Sequence, residues 1–142
     1  MRISLLSLIY IVFTISISAY TQELRYDSMK LKEKTVFLKD EKNGNQFKYY
    51  ENGNVESIKR WKKDKKENTL ISFHMNGVIK LKQSFIKNKK EGLTTAYNKK
   101  GQKIFEALYQ HDKIIKAYIY QSGKKVKLTV SQMKKLKRNM ND

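Results

Sequence analysis

Three glycines, Gly53, Gly77 and Gly101, stand at one constant interval along the chain, and each has the same company around it. Four residues before the glycine comes an aromatic (Tyr49, Phe73, Tyr97), eight after it another (Trp61, Phe85, Tyr109), and eleven after it an Asp or Asn (Asp64, Asn88, Asp112). Recurrence on this scale marks a repeat architecture, in which one supersecondary unit stacks on copies of itself. One interval back from Trp61, Asp64 and Tyr50 stand Phe37, Asp40 and Tyr26, with Met29 where the glycine should be. A last copy is centred on Gly123, which follows Gly101 slightly sooner than the interval requires. Residues 20–128 therefore read as four full or partial units plus a degenerate first one.

Each unit reads as a β-hairpin. Apolar and aromatic residues alternate with polar ones on both sides of the glycine, the period of a strand with one buried face. Parity selects a three-residue loop, Glu51-Asn52-Gly53, over a two-residue one. That loop pairs Tyr49 with Val55 and Phe47 with Ser57 and puts Gly53 in the left-handed region open to glycine. Gly77, Gly101 and Gly123 take the same role, the last in a loop Gln121-Ser122-Gly123, while Asp64, Asn88 and Asp112 mark the opposite turns. The frame places Tyr49, Trp61, Phe73, Phe85, Tyr97, Phe105 and Tyr109 on one face, with Trp61, Phe85 and Tyr109 as a ladder across alternate strands. The fold class that follows is all-β: an elongated antiparallel single-sheet meander of about nine or ten strands, roughly 45 Å long at ~4.8 Å per strand.

Two flanking segments differ in character. Met1-Arg2, an apolar run to Ser18 and small residues at Ser18 and Ala19 have the layout of a signal peptide over residues 1–19, with an uncleaved anchor helix as the alternative. The expected location is outside the cytoplasm, periplasmic or secreted. At the other end, Thr129-Val130-Ser131-Gln132 matches a capping box, with Leu128 and Met133 placed as a hydrophobic staple. Residues 129–142 then form a short basic amphipathic helix, with Met133, Leu136 and Met140 on one side. Its expected role is to cap the apolar end of the ribbon, or alternatively to lie on a membrane surface.

A formal charge of +18 points to an anionic partner, such as a teichoic-type polymer, lipid headgroups or nucleic acid. Only Arg2, Arg25, Arg60 and Arg138 are arginines, and planar bidentate phosphate readers are usually Arg, so nucleic acid is the least favoured of these. Lysine on a sheet also blocks edge-to-edge aggregation.

Tyr-Tyr-Glu-Asn-Gly-Asn at 49–54, Phe-His-Met-Asn-Gly-Val at 73–78, Tyr-Asn-Lys-Lys-Gly-Gln at 97–102 and Tyr-Gln-Ser-Gly-Lys at 120–124 resemble the bacterial MORN-repeat variant. The resemblance covers most of residues 26–125. It implies the hairpin meander and, by family analogy alone, an antitoxin-like label; it transfers no catalytic residue. The chain departs from the pattern at Met29, at Lys66 and Asn68, and at Lys103, which stands at an inward position.

No residue set points to catalysis, a metal or a cofactor. His74 and His111 have no metal-ligand spacing, and His74 occupies the slot of Tyr50 and Asn98, where a packing role is expected. The carboxylates sit singly at turns. Two readings follow: an interaction module whose aromatic row is covered by a protein partner or a second copy, or a lysine-rich face that binds an anionic polymer or membrane surface. An antitoxin-like neutralising role is a third, carried by the resemblance.

Overall fold

The computed structural model describes residues 19–139, so the signal-peptide expectation over residues 1–19 lies outside it except for Ala19. One antiparallel sheet holds every strand: β1 (Ala19–Arg25), β2 (Leu31–Leu38), β3 (Glu41–Tyr49), β4 (Val55–Lys62), β5 (Lys65–Lys66), β6 (Asn68–Phe73), β7 (Ile79–Ile86), β8 (Lys89–Tyr97), β9 (Lys103–Gln110), β10 (Lys113–Gln121) and β11 (Lys124–Lys127). Each strand neighbours the next in sequence, apart from the short β5, which pairs only with β4. The single-sheet meander read from the repeat is the architecture, with eleven strands among the described residues in place of nine or ten. No described helix is long and apolar enough to cross a membrane.

The glycine turns are as expected in three units. Tyr50 N–H donates to Asn54 O at 2.8 Å, Gly53 N–H donates to Tyr50 O at 2.9 Å, and Tyr49 pairs with Val55. Gly53, Gly77 and Gly101 have φ of 89°, 82° and 79°. The degenerate first copy keeps the same loop without its glycine: Met29, at φ 61°, donates to Tyr26 O at 2.9 Å. The last copy differs. Gln121 pairs with Lys124, leaving a two-residue loop of Ser122 and Gly123 at φ 48° and 76°, so the three-residue reading fails there. That left-handed pair is the hairpin turn whose twist matches the strands.

The opposite ends of the hairpins also use two-residue left-handed turns. They are Lys39-Asp40, Lys63-Asp64, Lys87-Asn88 and His111-Asp112, with φ between 47° and 72°. Asp and Asn tolerate that region because their short side chains bond locally. Here they also join one unit to the one before. Asp64 Oδ1 accepts from Lys42 N–H at 2.8 Å, Asn88 Oδ1 from Lys66 N–H at 2.7 Å, and Asp112 Oδ1 from Lys90 N–H at 2.7 Å. Lys42 lies beyond the last β3–β4 pair, Gly44 with Trp61, and on the other side of β3 the ladder opens, with residues 43–45 opposite Val36 alone. Gly44 (φ 118°), Asn68 (φ 60°) and Gly92 (φ 78°) hold the equivalent point of each opening, and a Cβ on Gly44 would sit 3.2 Å from Val36 Cβ.

One expectation is overturned by a β-bulge. Tyr49 pairs with Val55, but the next rung is Lys48 with Ser57, and Phe47 faces Ile58 rather than Ser57. Glu56 is the extra residue, and Lys80 and Ile104 are its counterparts in the next two units. A one-residue slip moves every later side chain of that strand to the other face. The seven aromatics are therefore divided. Trp61, Phe85, Phe105 and Tyr109 share the face that carries the C-terminal helix; Tyr49, Phe73 and Tyr97 lie on the opposite face, where Tyr49 stacks on Phe47 with centroids 6.5 Å apart.

The helix α1 (Val130–Asn139) follows β11. Its capping box is formed: Thr129 N–H donates to Gln132 Oε1 at 2.8 Å, and Gln132 N–H donates back to Thr129 Oγ1 at 3.4 Å. Leu128 and Met133 pack with Ala107, Tyr109 and Ala117, so α1 closes the end of one face. The side chain of Leu136 and residues 140–142 lie outside what the structure describes.

Candidate functional site

The helix-side face is organised in rows that cross the strands. The middle row runs Thr35, Gln46, Lys59, Leu70, Gln83, Thr94, Ala107, Ala117. Six of these eight are buried; Lys59 and Leu70 are half-buried. Beside it runs the ladder of Trp61, Phe85 and Tyr109 on β4, β7 and β9, alternate strands of the sheet as expected. Phe85 and Tyr109 are 7 % and 5 % exposed, so most of the ladder is core, and only Trp61 is partly open.

Each ladder ring carries a lysine from the preceding part of the chain. Lys42 Nζ lies 4.9 Å from the Trp61 centroid, Lys66 Nζ 5.4 Å from that of Phe85, and Lys90 Nζ 5.3 Å from that of Tyr109. An ammonium over a ring face is held by the ring quadrupole, worth about 0.5–1 kcal/mol when exposed. The three lysines recur at the interval of the turn glycines, each two residues past the turn Asp or Asn. They lie two strand spacings apart across the sheet, about 10 Å.

At Trp61 a second lysine joins the row. Lys59 Nζ lies 5.4 Å from the same ring as Lys42. Trp61 Nε1 donates to Gln46 Oε1 at 3.0 Å, and Gln46 Nε2 donates to Glu33 Oε1 at 2.6 Å, so ring and amide are fixed as one network. Thr35 Oγ1 also donates to Glu33, at 3.0 Å. Burial pushes the Glu33 carboxyl up, but these donations and the charges of Lys48 and Lys42 outweigh it and hold the group below its ordinary value. Burial pushes the Lys59 ammonium down, and the charges of Lys66, Lys48 and Lys42 push it the same way against Glu33 alone.

On the opposite face one carboxylate holds two lysines. Glu106 accepts from Lys103 and Lys125, each at 2.8 Å, and these bonds hold its carboxyl down at about 2. Lys103, one of the residues that depart from the repeat pattern, finds its partner there. On the helix-side face, Lys48 pairs with Glu33 at 3.6 Å, whereas Lys42, Lys59, Lys66 and Lys90 form no ion pair among the described residues.

His74 has the packing role expected of it. Its Nε2 lies 2.9 Å from Tyr97 O and, facing a carbonyl, must carry the proton. Tyr26 and Tyr50 donate equivalently to Tyr49 O and Phe73 O, both at 2.7 Å. Among the described residues no cluster of three His, Asp or Glu is placed to hold a metal.

The lysine row was missed from sequence, although its signal was present: positions 42, 66 and 90 recur on the same frame as the glycines. No family model matches the chain, and no curated protein matches it.

Proposed function

We propose that this chain is a non-catalytic repeat module that binds an anionic polymer along its helix-side face. The observation that carries the reading is the row of Lys42, Lys66 and Lys90, each over an aromatic ring and each without an ion-pair partner among the described residues. Ring contact limits the freedom of a long side chain, so less entropy is lost when an anion arrives. A regular spacing of about 10 Å suits a linear polymer lying across the strands. Export to a compartment rich in anionic polymers fits the signal-like N-terminus.

Titration with long-chain inorganic polyphosphate tests this. Wild-type protein should bind, and the triple variant Lys42→Gln, Lys66→Gln, Lys90→Gln should bind at least tenfold more weakly. Equal affinity in the two proteins would reject the row as the binding element.

A protein-interaction reading rests on a different observation. Leu93 and Leu108 face each other across β8 and β9 on the opposite face and are 49 % and 40 % exposed. A protein partner or second copy covering them, including the antitoxin-like role that the MORN-type resemblance implies, would bury this pair. Leu108→Asp should then abolish capture of that partner and leave polyphosphate binding intact.

A further inference from the structure

We infer that the surroundings of Trp61 form a discrete site for a compact oligophosphate-type anion, held by Lys42, Lys59 and Lys66 on the helix-side face. This rests on the anionic-polymer reading and names where on that face binding is tightest.

Three observations converge. First, Lys42 and Lys59 reach the same indole from neighbouring strands, with Nζ 4.9 and 5.4 Å from its centroid, and Lys66 pairs across the ladder with Trp61 itself. Second, Lys59 stands in a row that is otherwise mostly buried, yet makes no ion pair among the described residues. A half-buried ammonium without a counter-ion is costly, and an arriving anion removes that cost. Third, the polar groups beneath are already committed: Gln46 holds Trp61 Nε1 and Glu33, and Thr35 holds Glu33. The floor is therefore fixed, and only the ammonium donors remain for a ligand.

Charge decides the ligand class. Lys48 is paired with Glu33, which leaves Lys42, Lys59 and Lys66 as three ammonium groups with no ion pair among the described residues. A single carboxylate or an orthophosphate cannot reach three ammonium groups on separate strands at once, whereas a chain of two or three phosphates presents oxygens over several ångströms. Lysine suits phosphate as a rotatable point donor rather than a planar reader. The indole contributes by holding two ammonium groups in place.

The experiment uses the intact protein and inorganic tripolyphosphate, followed by calorimetry and by the fluorescence of Trp61, the one tryptophan in the chain. Saturable one-to-one binding with a change in Trp61 emission is expected. Lys59→Gln should weaken it about tenfold, the loss of one charge-assisted contact. Lys116→Gln, whose residue pairs with Leu108 on the opposite face, should leave it within twofold. Orthophosphate should bind far more weakly than tripolyphosphate.

Because Lys59 is half-buried and forms no ion pair among the described residues, Lys59→Gln should fold at least as stably as wild type, so lost binding cannot be ascribed to unfolding. Equal effects of the Lys59 and Lys116 variants, or orthophosphate binding as tightly as tripolyphosphate, would overturn the site. Binding to vesicles of anionic phospholipid without binding to tripolyphosphate would overturn it as well. If long-chain polyphosphate still binds in those cases, the anionic-polymer reading survives its loss; if neither phosphate chain binds, both fall.

Discussion

The hydroxyl of Tyr50 donates to the carbonyl of Phe73 at 2.7 Å, tying one glycine turn to the strand end of the next unit. Tyr26 and His74 make the same bond one unit before and one unit after, to Tyr49 O and Tyr97 O. The stitch stops at Asn98, whose shorter side chain instead bonds within its own turn, accepting from Lys100 N–H and Gln102 N–H at 3.0 Å. Successive units are thus held by side chain to backbone bonds at the glycine turns and by Asp or Asn at the opposite turns. Tyr50→Phe keeps the ring and removes the donor, so it should cost about 1 kcal/mol. Urea unfolding checks this, and an unchanged midpoint would mean that the stitch carries no stability.

The turn glycines offer a sharper contrast. Nothing lies within 4 Å of a Cβ built on Gly77, so the cost of Gly77→Val is backbone strain alone at φ 82°. It should be about 1–3 kcal/mol. Met29 already bears that strain at φ 61° in the first unit. Met29→Gly should therefore leave stability unchanged or raise it by up to about 1 kcal/mol, the relief of strain being partly offset by backbone entropy. Melting temperatures of the two variants should move in opposite directions, or that of Met29→Gly not fall.

Glu106 sets an acid limit. Its bonds to Lys103 and Lys125 lower the folded carboxyl from 4.5 to about 2. A depressed carboxyl contributes stability that is fully present above the unfolded value and is lost as pH falls through the folded one. Urea midpoints of wild type and Glu106→Gln should differ at pH 6 and converge as pH drops from about 4.5 to about 2. A constant difference across that window would contradict the assignment.

Lys59 has the opposite sign. Burial and the neighbouring lysines lower its pKa, so its charge is a cost to the folded state. That cost is present below the folded value and disappears as pH rises through it towards the unfolded 10.5. Lys59→Met should stabilise the free protein at neutral pH, with the gain shrinking in alkaline buffer. Thermal unfolding at pH 7 and pH 10 checks it; a loss of stability at pH 7 would show that Lys59 is already compensated.

The sequence carried the meander well because its period lies in residue types with strong backbone meaning. Glycine before an alternating strand, Asp or Asn at the far turn, and Thr129 three residues before Gln132 each specify a local geometry that the structure shows. Even the worn first unit was legible from spacing, with Met29 adopting the conformation of the glycine it replaces. The bulge was not. Glu56, Lys80 and Ile104 share no chemistry, because a bulge in a strand is a choice of backbone pairing that almost any residue can make. Missing it put Tyr49 and Trp61 on one face and so merged two surfaces with different chemistry. The lysine row was hidden by abundance: in a chain so rich in lysine, three at a regular spacing attract notice only once the register sets them over Trp61, Phe85 and Tyr109.

The central claim is that a defined row of lysines, rather than net charge at large, binds an anionic polymer. The salt dependence of long-chain polyphosphate affinity measures the number of contacts, since each neutralised charge adds to the slope of log affinity against log salt. Wild type and the Lys42→Gln, Lys66→Gln, Lys90→Gln variant should both lose affinity as salt rises, the variant with a slope smaller by roughly 2. Parallel slopes would mean that these three lysines touch no anion, and the account of the helix-side face would be contradicted.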